Sequence, residues 1–128
     1  MKITVLILRT ILGLVFFGFG LAFFLHLLPN TVPPGAAGEF DKGLFASGYF
    51  FYPLKGIETL CGLFLLINKY TAFFLIVLFP VSVNIFLFHA FLEPQGLTIA
   101  VPVLLINLFL GYAYRKYYAG VFTVSPTV

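Results

Sequence analysis

The stretch TAFFLIVLFPVSVNIFLFHAFL, residues 71–92, holds no Asp, Glu, Lys or Arg. A bilayer core about 30 Å thick is crossed by about 20 apolar residues of helix, so this stretch reads as a membrane span. The rest of the chain agrees. Of its 128 residues 62% are hydrophobic, 20% aromatic and 9% charged, and the mean hydropathy is +1.12. An ordinary soluble domain is roughly a quarter charged. Too few polar residues remain to clothe a water-facing surface. The composition therefore excludes a soluble enzyme, a nucleic-acid-binding domain and a disordered chain.

Three further spans flank the first. Residues 50–67, FFYPLKGIETLCGLFLLI, precede it across the short link Asn68-Lys69-Tyr70. Residues 97–114, LTIAVPVLLINLFLGYAY, follow the link Glu93-Pro94-Gln95-Gly96. Residues 3–28 open the chain, interrupted only by Arg9 and His26. That run is longer than a signal-peptide core and no clear cleavage site follows, so it reads as a retained span. Short links force antiparallel neighbours. The expected fold is a single all-α integral membrane domain over residues 1–128, an antiparallel bundle of four transmembrane helices. The longer first link, NTVPPGAAGEFDKGLFASG (residues 30–48), forms either a short amphipathic helix or an ordered loop. If residues 36–47 are helical, Phe40, Leu44 and Phe45 share a face suited to a membrane surface. The tail TVSPTV is expected to fray.

The charges set an orientation. Lys2, Arg9, Lys69, Arg115 and Lys116 lie at one side, while Lys42, Lys55, Glu39, Asp41 and Glu93 lie at the other. The positive-inside rule then places both termini in the cytosol. With no Trp in the chain, Tyr supplies the interfacial anchors, and all seven tyrosines fall at expected boundaries. Cys61 is the single cysteine, so neither an internal disulfide nor a CxxC redox pair exists.

Polar residues at lipid depth each need a reason. Lys55 and Glu58, three apart on one helix face, form an ion pair or a ligand-binding pair, and Gly62 continues that face. Arg9 snorkels to the interface, contacts an anion or headgroup, or joins an ion pair inside the bundle. Gly13 and Gly20 share its face, with Gly18 nearby, and suit close helix approach. Pro80 loosens the third span. Asn84 reads as interhelical glue or a ligand contact, and Asn107 and Gly111 as packing. His89 lies in line with Ser82 and Glu93, and His26 ends the first span at a similar level. Two histidines with Glu93 raise the thought of a metal, but interfacial histidines are the safer reading, so no metal is expected. Most of these groups populate the outer half of the bundle, where a ligand site is expected.

Several blocks carry a family resemblance. R-T-I-L-G-L-V-F-F-G-F-G, from Arg9, resembles the first helix of DoxX-family membrane proteins. Y-P-L-K-G-I-E-T-L-C-G-L-F-L-L-I-N-K-Y, residues 52–70, resembles that family's K-x-x-E-x-x-x-G-x-x-L-L second helix. P-V-S-V-N-I-F-L-F-H-A-F-L-E-P, residues 80–94, resembles its third, and A-Y-R-K-Y fits the end of its fourth. The resemblance implies a multi-pass protein of the bacterial inner membrane. It also implies a link to quinone-dependent oxidoreduction, with quinone as the ligand and an oxidoreductase subunit as partner. The charged pair would be Lys55 and Glu58, and the other recurrent polar residues Arg9, Asn84 and His89, with His26 and Glu93 as weaker candidates. No cofactor fingerprint is present in the chain itself, so electrons would arrive through a quinone or a partner. The alternatives are a non-catalytic accessory subunit and, ranked last, a small exporter working as a homo-oligomer.

Overall fold

The computed structural model describes residues 1–29 and 31–128; Asn30, the first residue of the long link, lies outside the described residues. The fold is helical, with no strand among the described residues. Its helices are α1 (Lys2–Phe24), α2 (Gly35–Ala46), α3 (Phe51–Ile67), α4 (Thr71–Phe91) and α5 (Leu97–Ala113). Short 3₁₀ segments, Pro94–Gly96 and Arg115–Tyr118, precede and follow α5. By length and composition Lys2–Phe24, Thr71–Phe91 and Pro94–Ala113 suffice to cross a membrane. The 17-residue α3 reaches that measure only together with α2, and that pair is bent by 97°.

The first helix stops earlier than the hydropathy of residues 3–28 suggests. His26 takes a left-handed conformation (φ 57). The Leu27 N–H donates to the Ala22 carbonyl at 2.9 Å and the His26 N–H to that of Phe23 at 3.2 Å. This is a Schellman closure, and it ends α1 at Phe24 although Leu25, Leu27 and Leu28 prolong the apolar run. The same closure ends α3. Asn68 sits at φ 54, and the Lys69 N–H donates to the Phe64 carbonyl at 3.1 Å.

Of the two readings of the long link, residues 35–46 take the helical one. Pro33 and Pro34 cannot extend a helix backward, so α2 starts after them. At its far end the Ser47 hydroxyl donates to the Leu44 carbonyl at 2.6 Å and accepts the Phe50 N–H at 3.3 Å. Gly48, at φ 77, then turns the chain into α3.

Packing centres on α1 against α3, their tightest seam. A Cβ on Gly62 would meet the Phe17 backbone nitrogen and come within 2.8 Å of the Gly13 carbonyl oxygen. A Cβ on Gly13 would stand 2.9 Å from the Leu66 side chain. Small residues here let two backbones approach, as in helix pairs packed in lipid. Gly18 and Gly111 have open space at the same position, so the packing expected of Gly111 is not made. The rotation of α5 decides this, and residue size alone does not reveal it.

From the seam, α3 packs on α4, α4 on α5, and α5 returns to α1. Leu12 and Phe16, Cys61 and Leu65, Leu75 and Leu78, and Val103 and Leu110 meet inside as a continuous core. Buried Asn107 donates to the hydroxyl of buried Ser82 at 3.3 Å, tying α5 to α4. Leu14, Phe19, Leu60, Phe73, Leu105 and Leu108 point outward, an apolar surface that water would not tolerate.

Candidate functional site

Helical spacing assembles the site. On α3, Phe51, Leu54, Lys55 and Glu58 follow the i, i+3, i+4, i+7 rhythm of one face. On α4, Val81, Asn84, Ile85 and Phe88 do the same, with Leu92 next on that face just past the helix end. Between these faces lies a groove of about 840 Å³, roofed by Phe40, Asp41 and Leu44 of α2. Phe40 packs on Phe88 with ring centroids 5.7 Å apart, and Phe45 on Phe51 at 4.3 Å. Aromatic rings thus fasten the crosswise α2 to both walls. The apolar face expected of residues 36–47 touches the bundle only in part, since Phe40 and Phe45 remain 49% and 60% exposed.

Within an otherwise apolar lining the polar groups are few. Lys55 Nζ lies 3.0 Å from Glu58 Oε2, and the Glu58 side chain is only 5% exposed. The Lys55 side chain is 21% exposed, so the lysine is the more accessible partner of the pair. One turn on, the Thr59 hydroxyl donates to the Lys55 carbonyl at 2.6 Å and presses on Gly20 of α1. The pair is therefore mounted on the tightest seam of the fold.

Asn84 lines the groove, but its side chain bonds within its own helix. Its Nδ2 donates to the Pro80 carbonyl at 2.9 Å. The interhelical role considered for Asn84 is not made, because a short amide reaches the carbonyl one turn back before it reaches a neighbouring helix.

His89 closes the same wall. Its Nδ1 lies 3.1 Å from the Glu93 carbonyl oxygen and 3.8 Å from Glu93 Oε2. Gly96 is essential to this arrangement, since a Cβ there would collide with the imidazole. Glu93 positions His89 but does not itself line the groove.

Asp41 is the member that sequence reasoning missed. It lines the groove from α2, and burial followed by the nearby Glu93 charge raises its pKa above the ordinary 3.8, partly offset by His89. The signal was available. Asp41 lies three residues before Leu44 and beside Phe40, on the flank of the apolar face, yet it had counted only as a marker of membrane side.

Two candidates fall elsewhere. His26 is exposed at the end of α1 and does not join His89. Arg9 is buried far from the pair, on a separate cavity of about 480 Å³ lined by the start of α1 and the ends of α3 and α5. It therefore belongs to a different site from Lys55, Glu58, Asn84 and His89. The resemblance names them together, whereas depth along the helices already sets Arg9 at the opposite side from the other four. No three His, Cys, Asp or Glu side chains converge as metal ligands among the described residues.

An apolar slot ending in a carboxylate and an ammonium suits a lipophilic molecule bearing one or two hydrogen-bonding oxygens. Compared with known proteins, the chain matches no family model, no curated relative and no solved structure.

Proposed function

We propose that this chain is a membrane protein that binds a small lipophilic ligand of the quinone class in the groove between α2, α3 and α4. One observation carries the reading. A nearly buried carboxylate, paired with Lys55 at 3.0 Å, stands at the polar end of an aromatic slot of about 840 Å³. Lys55 would donate to a ligand carbonyl, and Glu58 would accept from a ligand hydroxyl. Asn84 and His89 would contact the second polar edge. The resemblance to DoxX proteins points the same way, toward a membrane subunit of a quinone-linked oxidoreductase in the bacterial inner membrane. Cys61 is the lone thiol, so electron transfer would require a partner subunit.

In this reading α1, α3, α4 and α5 cross the bilayer antiparallel, with both termini on the cytosolic side. The start of α1 and the ends of α3 and α5 line one cavity, and the Tyr118 hydroxyl donates to the Ala72 carbonyl at the start of α4 at 3.0 Å. Those contacts support alternating directions, and the basic residues at that end support its facing the cytosol.

The test is binding of a short-chain quinol, which carries the hydroxyl that Glu58 would accept from, to the purified protein in neutral detergent, followed by titration. Glu58→Gln should weaken binding about tenfold, the loss of one charge-assisted hydrogen bond. Equal affinity in the variant refutes the assignment. A non-catalytic accessory role has its own support, because Lys55 and Glu58 already satisfy one another. Under that role Lys55→Met/Glu58→Leu would fold and sustain the complex.

A further inference from the structure

At the opposite end from the groove, Arg9 is 8% exposed, and its Nε and Nη1 are buried without a hydrogen-bond partner among the described residues. A guanidinium has no neutral form to retreat to in a protein. Burying it unpaired is therefore costly unless an acceptor arrives from outside the chain. The cavity that Arg9 lines is also lined by Lys2 and Arg115, and by no acid. All four acids of the chain lie elsewhere: two on α2, one on α3 within the groove and one after α4.

Arg115 is held in place rather than free to sweep. Its Nη1 donates to the Tyr112 carbonyl at 2.9 Å, and the guanidinium lies 4.1 Å from the centre of the Tyr112 ring. Asn68 and Tyr114 add polar groups to the same lining, while Val5 and Leu6 add an apolar wall along α1.

We infer that this cavity is a binding site for a phosphate oxyanion, with the buried Arg9 fork as its floor and Lys2 and Arg115 at its rim. A guanidinium offers several N–H donors in one plane to a phosphate, and two of the Arg9 nitrogens, Nε and Nη1, have no hydrogen-bond partner among the described residues. The Val5–Leu6 wall favours a phosphate carried on an acyl chain, the headgroup of an anionic phospholipid, since the chain would run along the exposed apolar face of α1. A free phosphate would satisfy the same cations without using that wall. The site is independent of the groove around Glu58.

The experiment uses the full chain in neutral detergent. Native mass spectrometry would count retained phosphatidylglycerol, phosphatidylcholine or inorganic phosphate in the wild type and in Arg9→Gln. The expected result is retention of phosphatidylglycerol over phosphatidylcholine, with affinity about tenfold lower in Arg9→Gln. Binding of inorganic phosphate that depends equally on Arg9, without a lipid preference, keeps the oxyanion site and assigns it to a soluble anion. If every probe binds Arg9→Gln as well as wild type, the site is refuted. Should Arg9→Gln fail to fold, the exposed Arg115→Gln serves instead. It should bind phosphatidylglycerol about fivefold more weakly, the share of one surface cation, and unchanged affinity overturns the proposal.

Discussion

The two ends of this molecule treat a buried charge in opposite ways. At one end Glu58 is enclosed beside aromatic residues and Lys55, on its own helix, answers it at 3.0 Å. At the other Arg9 is enclosed with two guanidinium nitrogens that no described residue answers. The first end is electrostatically complete within the chain, so the ligand proposed there need only be apolar with a polar edge. The second is incomplete, so its ligand must bring negative charge. Both rest on the same α1–α3 seam, which makes the contrast one of chemistry rather than of local packing quality.

Breaking the first end should have the largest effect. Lys55→Met leaves Glu58 buried and alone, and should destabilise the protein by about 3–5 kcal/mol. The companion Lys55→Met/Glu58→Leu should recover most of that loss. Denaturant titration in micelles reads both, and a double variant no more stable than the single would mean the pair is not internally compensated.

The seam shared by both ends comes next. Gly62→Val drives a branched side chain into the backbone around Phe17 and should cost about 1–3 kcal/mol by overpacking. Gly111→Ala, with open space around its Cβ, should leave stability unchanged within ~0.5 kcal/mol in the same titration. Similar losses in the two variants would show that the α1–α3 approach is not the frame.

Arg9→Met sharpens the contrast by its sign. In detergent free of anionic lipid and phosphate it should stabilise the protein by about 1 kcal/mol, because an uncompensated buried charge gives way to an apolar side chain of similar length. Adding phosphatidylglycerol should raise the unfolding midpoint of the wild type and not of Arg9→Met. A destabilised Arg9→Met in the lipid-free condition would indicate a protein partner for Arg9.

The smallest effect concerns Asp41. Its pKa is raised in the folded protein, so between 3.8 and that raised value the folded chain holds more protons than the unfolded one. Stability is therefore lost as pH rises through this window and regained as pH falls through it. Asp41→Asn should flatten that slope in an acid-range thermal melt series. A slope equal to that of the wild type would assign it to Glu93 or another group.

Part of the candidate site was legible beforehand because it obeys local rules. Lys55 and Glu58 are three apart on one helix, and that spacing alone brings them within reach. His89 and Glu93 are likewise one turn apart. Asn84 was legible as a polar residue at lipid depth, but its partner was not, since a bond to the Pro80 carbonyl competes with every interhelical one. The surroundings of Asp41 and Arg9 were not legible for a common reason. Each owes its environment to helices distant in sequence: α4 and the turn after it for Asp41, α3 and α5 for Arg9.

What the sequence by itself determined is the helical class and the long apolar helices, which are compatible with a membrane. Breaks such as Asn68-Lys69-Tyr70 end the uncharged runs, because hydropathy and turn chemistry act over a few residues. The link helix α2 was half determined, its apolar face being readable and its crosswise seat on Phe51 and Phe88 not. Only the tertiary structure decided that Lys55 and Glu58 pair beside one cavity while Arg9 is buried without a partner among the described residues beside another. Which residues share a cavity depends on how helices rotate and meet. Gly13 and Gly62 set that meeting through a close approach that no single helix contains.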